Sequence, residues 1–391
     1  MSLPRLAHRT STVPVSATAA VRQAARELAR SGERVINLGA GEPDHPSPPE
    51  VVEAAAAAAR DPRLHRYAPS RGLPELCEAV AEYRADCYGH AVSTDGLVVT
   101  CGAKQAAFNA LLALVDPGDE VLVPGPCWVS YPAMIRLVGG VPVPVPSMVE
   151  EAFKIDVGRL EAARTSRTKA LVLISPGNPT GVAYTAQELA DIGQWALDHG
   201  IWVISDEVYG ELVYDGRKPV SIATVVPAVA DQCAVVHGVS KTFAMTGWRI
   251  GWLIGPDCLV SAATAIQSHS SSHPTAVAQF AAATALTRSR DRAEEMRAGY
   301  ERRRRLVLDR LTDVRGITLA EPQGAFYAFI RAERGGRPID DQDFAARLLR
   351  EHRVATVPGT AFGAPSHLRL SYATSDEDVV EGLDRLVRAL T

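Results

Sequence analysis

Lys241 and Arg249 are the two side chains with the most chemistry to offer, eight positions apart in the segment Val235–Gly255. Apolar, β-rich runs (Cys233 to Val236 and Arg249 to Ile254) flank a polar stretch in which Ser240 precedes the lysine. A lysine just past a buried strand sits in a partly dry pocket, where desolvation and a neighbouring cation favour the neutral amine that attacks carbonyls. Arg249 supplies such a cation and can grip a phosphate or carboxylate through two parallel hydrogen bonds. The pair suits Schiff-base chemistry on a phosphorylated aldehyde. On this segment alone, a surface-loop lysine beside a structural arginine is the plainer reading.

The elements around them sharpen the picture. Leu97–Thr100 reads as a strand, Gly102 as a turn and Ala103–Val115 as a helix. That order gathers free N–H groups and the positive dipole end at one spot, so the amides of Ala103 and Lys104 form a phosphate cradle. The buried-type strand Lys169–Ile174 runs into Ser175-Pro-Gly-Asn-Pro-Thr-Gly181, which puts Asn178 at a carboxyl end, where open α/β sheets bind ligands. There its amide can donate to a ligand, or close an Asx-turn before Pro179. A second buried strand, Ile201–Asp206, ends in a carboxylate that needs a partner, because an unpaired buried charge is strongly unfavourable. Glu207 next to it points to the opposite side. Glu120–Pro124 leads to Trp128, whose indole suits stacking on a flat ring, although a core role is open to it as well. Gly39-Ala-Gly-Glu-Pro-Asp44 is a turn that lets backbone approach a ligand, and His367–Tyr372 alternates with Arg369 on one face.

Taken in order, Ser175–Gly181, Ser205-Asp-Glu-Val-Tyr209 and Ser240-Lys241…Arg249 make the chain resemble the class I and II aminotransferases of the pyridoxal-phosphate fold-type I superfamily. Gly102-Ala-Lys-Gln-Ala106 and Ala244–Gly251 resemble the bacterial aspartate aminotransferase subgroup. The likeness runs from Gly39 to Ala373. It implies a mostly parallel sheet in a large α/β/α domain (46–285), with a smaller α/β domain built from both termini (1–45 and 286–391). It also implies pyridoxal 5′-phosphate on Lys241, its ring nitrogen answered by Asp206, its ring stacked on Trp128 and its phenolic oxygen met by Asn178 and Tyr209. Ser240, Arg249, Ala103 and Lys104 would hold the phosphate. Tyr67, in His65–Gly72, would reach the phosphate of the neighbouring subunit in a homodimer with shared active sites. Arg369 would clamp the substrate α-carboxylate with the Gly41 backbone against it, and Lys104 would face an acidic side chain. The family often shows a cis bond at Pro179, and often a Tyr where this chain has Cys127.

Composition limits the alternatives. At 391 residues the chain is long enough for two domains, and a net charge of -4 argues against nucleic-acid or membrane-surface partners. Six cysteines without Cys-x-x-Cys spacing, and a Met1–Pro14 segment lacking an apolar core, point to a reduced cytoplasmic enzyme. No metal-ligand cluster or membrane-length apolar run is present.

Several local expectations follow. Residues 1–15 read as mobile, and Ser16 as the N-cap of a helix to Arg30 stopped by Gly32. Val141–Pro146 alternates valine and proline, which suits an edge. Gln267–His273 reads as a polar loop whose serines could reach a phosphate across a dimer interface or form a capping run, Glu333–Pro338 as a turn-rich linker, and Arg302–Arg305 as the solvated face of a helix.

The reaction expected from the resemblance is ping-pong amino transfer between an L-amino acid and a 2-oxo acid, with aspartate or glutamate as a candidate donor. The same scaffold also serves β-elimination, decarboxylation or oxidation, and transamination of aromatic or unusual amino acids. A non-catalytic regulator would need an appended DNA-binding segment. The subgroup often has a lysine ahead of its Ser-Ala-Thr segment; Pro14-Val15 stand there, which weakens the case for dicarboxylates.

Overall fold

A computed structural model describes residues 6–13, 17–30 and 32–390. Ser16 and Pro14-Val15, and with them the expected cap and the missing lysine, lie outside the described residues. A short 3₁₀ turn at His8–Thr12 stands within the stretch expected to be mobile. The helix Ala17–Arg30 follows, then the short strand β1 (Ile36–Asn37).

Seven apolar runs form the larger sheet: β2 (Leu97–Thr100), β3 (Glu120–Pro124), β4 (Val141–Val145), β5 (Thr168–Ile174), β6 (Trp202–Asp206), β7 (Cys233–Gly238) and β8 (Gly251–Ile254). Their order is β2-β8-β7-β6-β5-β3-β4. Strands β3 to β7 run parallel, whereas β8 is antiparallel to both its neighbours, β7 and β2. That reversal matters: the carboxyl ends of β2, β5, β6 and β7 and the entry to β8 all open on one edge. The valine–proline strand β4 occupies an outer edge, as expected of residues that cannot complete a central ladder. Helices cover the sheet, among them Ala186–Asp198, whose N-cap Thr185 and Glu188 satisfy each other's backbone amides in a capping box.

A second sheet holds β9 (Ile317–Leu319), β10 (Tyr327–Arg334), β11 (Arg337–Pro338), β13 (Val357–Pro358) and β14 (His367–Ser371), while β12 (Val354–Ala355) pairs with β1. Around it lies a separate apolar core that joins Ile36 and Leu38 to residues from Met296 to Leu390, reached by the segment Val208–Tyr214. The 22-residue helix Arg290–Leu311 borders this core through Met296, Tyr300, Val307 and Leu311.

Three local expectations are corrected. Gln267 to Ser270 belong to the helix Asp257–Ser270, where buried Gln267 donates to the carbonyls of Ser70 and Val99, each at 2.7 Å. Residues 333–338 form the tight antiparallel turn between β10 and β11, not a linker. Arg303 and Arg304 are buried: Arg303 pairs with Asp44 at 2.9 Å and Asp376 at 3.1 Å, and Arg304 with Asp215 at 2.8 Å. Only Arg302 and Arg305 keep the solvated character expected of the whole run.

Candidate active site

The sheet edge where these termini meet encloses a cavity of about 510 Å³. Lys241, three residues beyond β7, reaches into it and donates from Nζ to the Gly41 carbonyl at 2.6 Å. Burial pushes its amine down to about 8. The Arg369 and Arg249 guanidiniums push the same way, and the Glu42 carboxylate opposes them. A side-chain amine so placed is neutral in roughly a tenth of molecules at pH 7, far more often than an ordinary lysine, and a nucleophilic lysine requires that neutral form.

Asp206 ends β6 and is buried, accepting from the Tyr131 hydroxyl at 2.8 Å and the Val208 amide at 3.2 Å. Burial raises its pKa above the ordinary value, against the pull of Tyr131, Val208 and the nearby His237. A carboxyl in this state gains from a cationic hydrogen-bond donor arriving from the cavity.

The phosphate end is built from a turn and an antiparallel strand. Gly102 takes φ +79° and starts the helix Ala103–Leu114, so the Ala103 and Lys104 amides have no intrahelical acceptor. A side chain at Gly102 would overlap the Arg249 guanidinium, which needs this glycine in order to lie over the turn. Arg249 adopts the left-handed φ +58° just before β8, and donates to the carbonyls of Thr246 at 2.8 Å and Cys101 at 3.3 Å. Ser240 lines the same end. Donors, dipole and guanidinium converge as an anion site requires.

Opposite stands Arg369 on β14, 1 % exposed. It donates to Asn178 Oδ1 and the Gly39 carbonyl, each at 3.0 Å, while its Nε has no partner. These acceptors are neutral, so the buried guanidinium lacks a countercharge among the described residues. Its cation lies 4.5 Å from the centre of the Tyr327 ring. Asn178 follows β5 with a cis bond to Pro179. Tyr209 and Tyr327 join hydroxyls at 2.9 Å on the cavity wall. Trp128 meets Tyr131 edge-on at 5.6 Å and the Lys104 ammonium at 4.8 Å. Burial lowers the Lys104 pKa, with Arg249 and Arg22 adding to the effect.

Gly41, Ala103, Lys104, Trp128, Asn178, Asp206, Tyr209, Ser240, Lys241, Arg249 and Arg369 thus meet in one cavity. Tyr67 does not: it is 92 % exposed, its ring 5.9 Å from that of His273. Sequence reasoning missed Tyr131, Tyr327, Glu42 and Arg22. Tyr131 was findable one helical turn after Trp128, and Tyr327 lies on the strand paired with Arg369, two places from the residue opposite it. Behind the site, a buried network also escaped notice. Glu211 accepts from Tyr88 and Thr242, each at 2.8 Å, and contacts His237 at 3.1 Å. Against the upward push of burial, His237 and these donors hold its carboxyl down at about 2. Among the described residues no group of side chains is arranged to hold a metal ion.

Comparison with known proteins agrees with this geometry. The family model "Aminotransferase class I and II" matches residues 33–386. An aspartate aminotransferase of Streptomyces avermitilis is 46% identical over 394 residues, covering 99% of this chain and 97% of that protein. Among solved structures, the Thermus thermophilus aspartate aminotransferase with maleate superposes with TM-score 0.92 at 42% identity, covering 99% of this chain and all of the other. The Rhizobium meliloti aspartate aminotransferase gives TM-score 0.94 at 38% identity, covering 99% of each chain. Matched across nearly its whole length in sequence and in fold, the chain belongs to the class I and II aminotransferases.

Proposed function

We propose that this aminotransferase uses pyridoxal 5′-phosphate, held at Lys241, to move an amino group from an acidic L-amino acid, aspartate or glutamate, to a 2-oxo acid by a ping-pong route. Family membership implies that cofactor, and the cavity's residues fit it. A neutral-prone lysine, a buried carboxyl short of a cationic partner and a glycine cradle under a guanidinium match its aldehyde, ring nitrogen and phosphate. The observation that carries the reading is the convergence of Lys241, Asp206 and the uncompensated Arg369 on one cavity.

When bound, the cofactor supplies an electron sink for the pair released at the substrate's α-carbon. This chain's residues do the rest. Arg369 takes the α-carboxylate through its planar donors, assisted by the Gly41 backbone, and so fixes the Cα–H bond for removal. The Lys241 amine accepts that proton. Asp206, oriented by Tyr131, keeps a ring nitrogen protonated, while Asn178 and Tyr209 offer donors to a phenolic oxygen. Trp128 provides the stacking face. Ala103, Lys104, Ser240 and Arg249 hold the phosphate, and the Lys104 ammonium faces an acidic side chain.

The near-complete exposure of Tyr67 supports a homodimer in which this tyrosine completes the neighbour's phosphate site. Two separate apolar cores support a large domain over 46–285 and a small one from 1–45 and 286–391. Free thiols at all six cysteines support a reducing, cytoplasmic setting, and among the described residues no helix is long and apolar enough to cross a membrane.

The test is a half-reaction. Purified enzyme loaded with the cofactor is mixed with single amino acids while absorbance and keto-acid release are followed. Aspartate or glutamate should convert the cofactor to its amine form with stoichiometric keto acid. If no donor does so, amino transfer is not this protein's reaction.

A further inference from the structure

A charge count over the cavity leaves one cation without a role. Its wall carries Arg22, Lys104, Lys241, Arg249 and Arg369 against two carboxylates, Glu42 and Asp206. The proposed function uses four of the five: Lys241 for the covalent link, Arg249 for the phosphate, Arg369 for the α-carboxylate and the Lys104 ammonium for an acidic side chain. Arg22 remains, and among the described residues neither it nor the Lys104 ammonium makes an ion pair.

Arg22 comes from an element far from the others in sequence. It sits on the helix Ala17–Arg30, one turn after Thr18 and beside Ala19, and all three face the cavity. An adjoining face of the helix fixes its rotation. Ala25 is buried, and Val21 packs so closely on the Gly39 turn that a side chain at Gly39 would come within 3.2 Å of it. With that face pinned, exposed Arg22 is held at the solvent rim, on the helix that packs against the Gly39 turn whose carbonyl accepts from Arg369. Its charge is felt inside the cavity, depressing the ionisation of both Lys104 and Arg369 after the larger effect of burial. Two cations that line one open cavity and have no bonded acid form a site for an anion.

We propose that Arg22 is a specificity-determining residue, which with Lys104 binds the distal carboxylate of a dicarboxylic amino acid or 2-oxo acid while Arg369 holds the α-carboxylate. This rests on the aminotransferase reading above. Arg22 stands at the mouth, so it recognises the acidic end last to be covered, and it selects charge rather than contributing to proton transfer.

The experiment compares the loaded enzyme with Arg22→Gln and Arg22→Lys. One arm measures kcat/KM for aspartate and glutamate relative to alanine and phenylalanine. A second arm titrates unreactive succinate and butyrate calorimetrically. Arg22→Gln should lower the acidic-to-neutral ratio about tenfold and weaken succinate by a similar factor, with butyrate shifted far less, and Arg22→Lys should recover part of both. A ratio and a succinate affinity within about twofold of the unsubstituted enzyme would overturn the assignment. If no amino acid reacts with the unsubstituted enzyme, the functional reading falls instead, and the succinate titration alone decides for or against Arg22.

Discussion

Two adjacent carboxylates at the end of β6 point to opposite sides of the sheet and live in opposite electrostatic circumstances. Glu207 faces the protein interior, where Arg84 meets it at 2.8 Å and the hydroxyls of Ser205 and Ser221 donate at 3.0 and 2.6 Å. Both members of that ion pair are buried, and each finds its countercharge in the other. Asp206 faces the cavity with a tyrosine and one amide for company, and no cation bonded to it. The arginines repeat the contrast: Arg84 has a carboxylate, and Arg369 only neutral oxygens. Burial alone therefore does not mark a functional charge. What marks it is burial on a wall that opens onto space, with the countercharge left for a ligand to bring.

The sharpest break in this contrast is Lys241→Ala. It should reduce amino transfer by roughly 10⁴-fold or more, measured as kcat/KM, while the protein stays folded. On the paired side, Arg84→Ala should leave Glu207 uncompensated and lower stability by about 3–5 kcal/mol in urea unfolding. Next comes a pH effect with a definite sign. The Lys241 amine sits at about 8 in the folded protein, below its ordinary 10.5, so between those values the unfolded chain binds the proton more tightly. Cofactor-free protein should thus gain stability as pH rises from about 8 to 10.5, by roughly 3 kcal/mol, and level off above. Lys241→Ala should abolish that slope; an identical slope in the variant would place the titration elsewhere. Asp206→Asn, on the open side, should cut kcat/KM roughly ten- to a hundredfold without lowering the urea midpoint, the reverse of Arg84→Ala. Smallest is Tyr131→Phe, which removes one donor from Asp206 and should cost severalfold in rate, read best as a shifted pH–rate profile.

The sequence made one side of this contrast readable and left the other obscure. Asn178, Asp206, Lys241 and Arg249 were legible because each ends or enters a strand in a compact local motif, and strand ends converge in an open α/β sheet. Arg22, Glu42 and Tyr327 reach the cavity from elements whose docking depends on distant packing, so no spacing pointed to them. The same limit explains Arg303 and Arg304. Four consecutive arginines look like a solvated face, and only their partners Asp44, Asp215 and Asp376, all distant in sequence, show that two are interior. Gln267 misleads for a similar reason: a glutamine in a serine–histidine run looks like a loop until it is seen satisfying two buried carbonyls.

The outermost strand, β4, carries Pro142 and Pro144, two residues apart and so on one side of the ribbon. Its pairing with β3 draws on the alternate residues, which leaves the prolines on the outward rim, where they present no N–H. A stray β-segment from another copy would find an incomplete set of donors there and could not extend the ladder. That rim works as a built-in guard against fibrous association, sited at the opposite end of the strand order from β7 and β8.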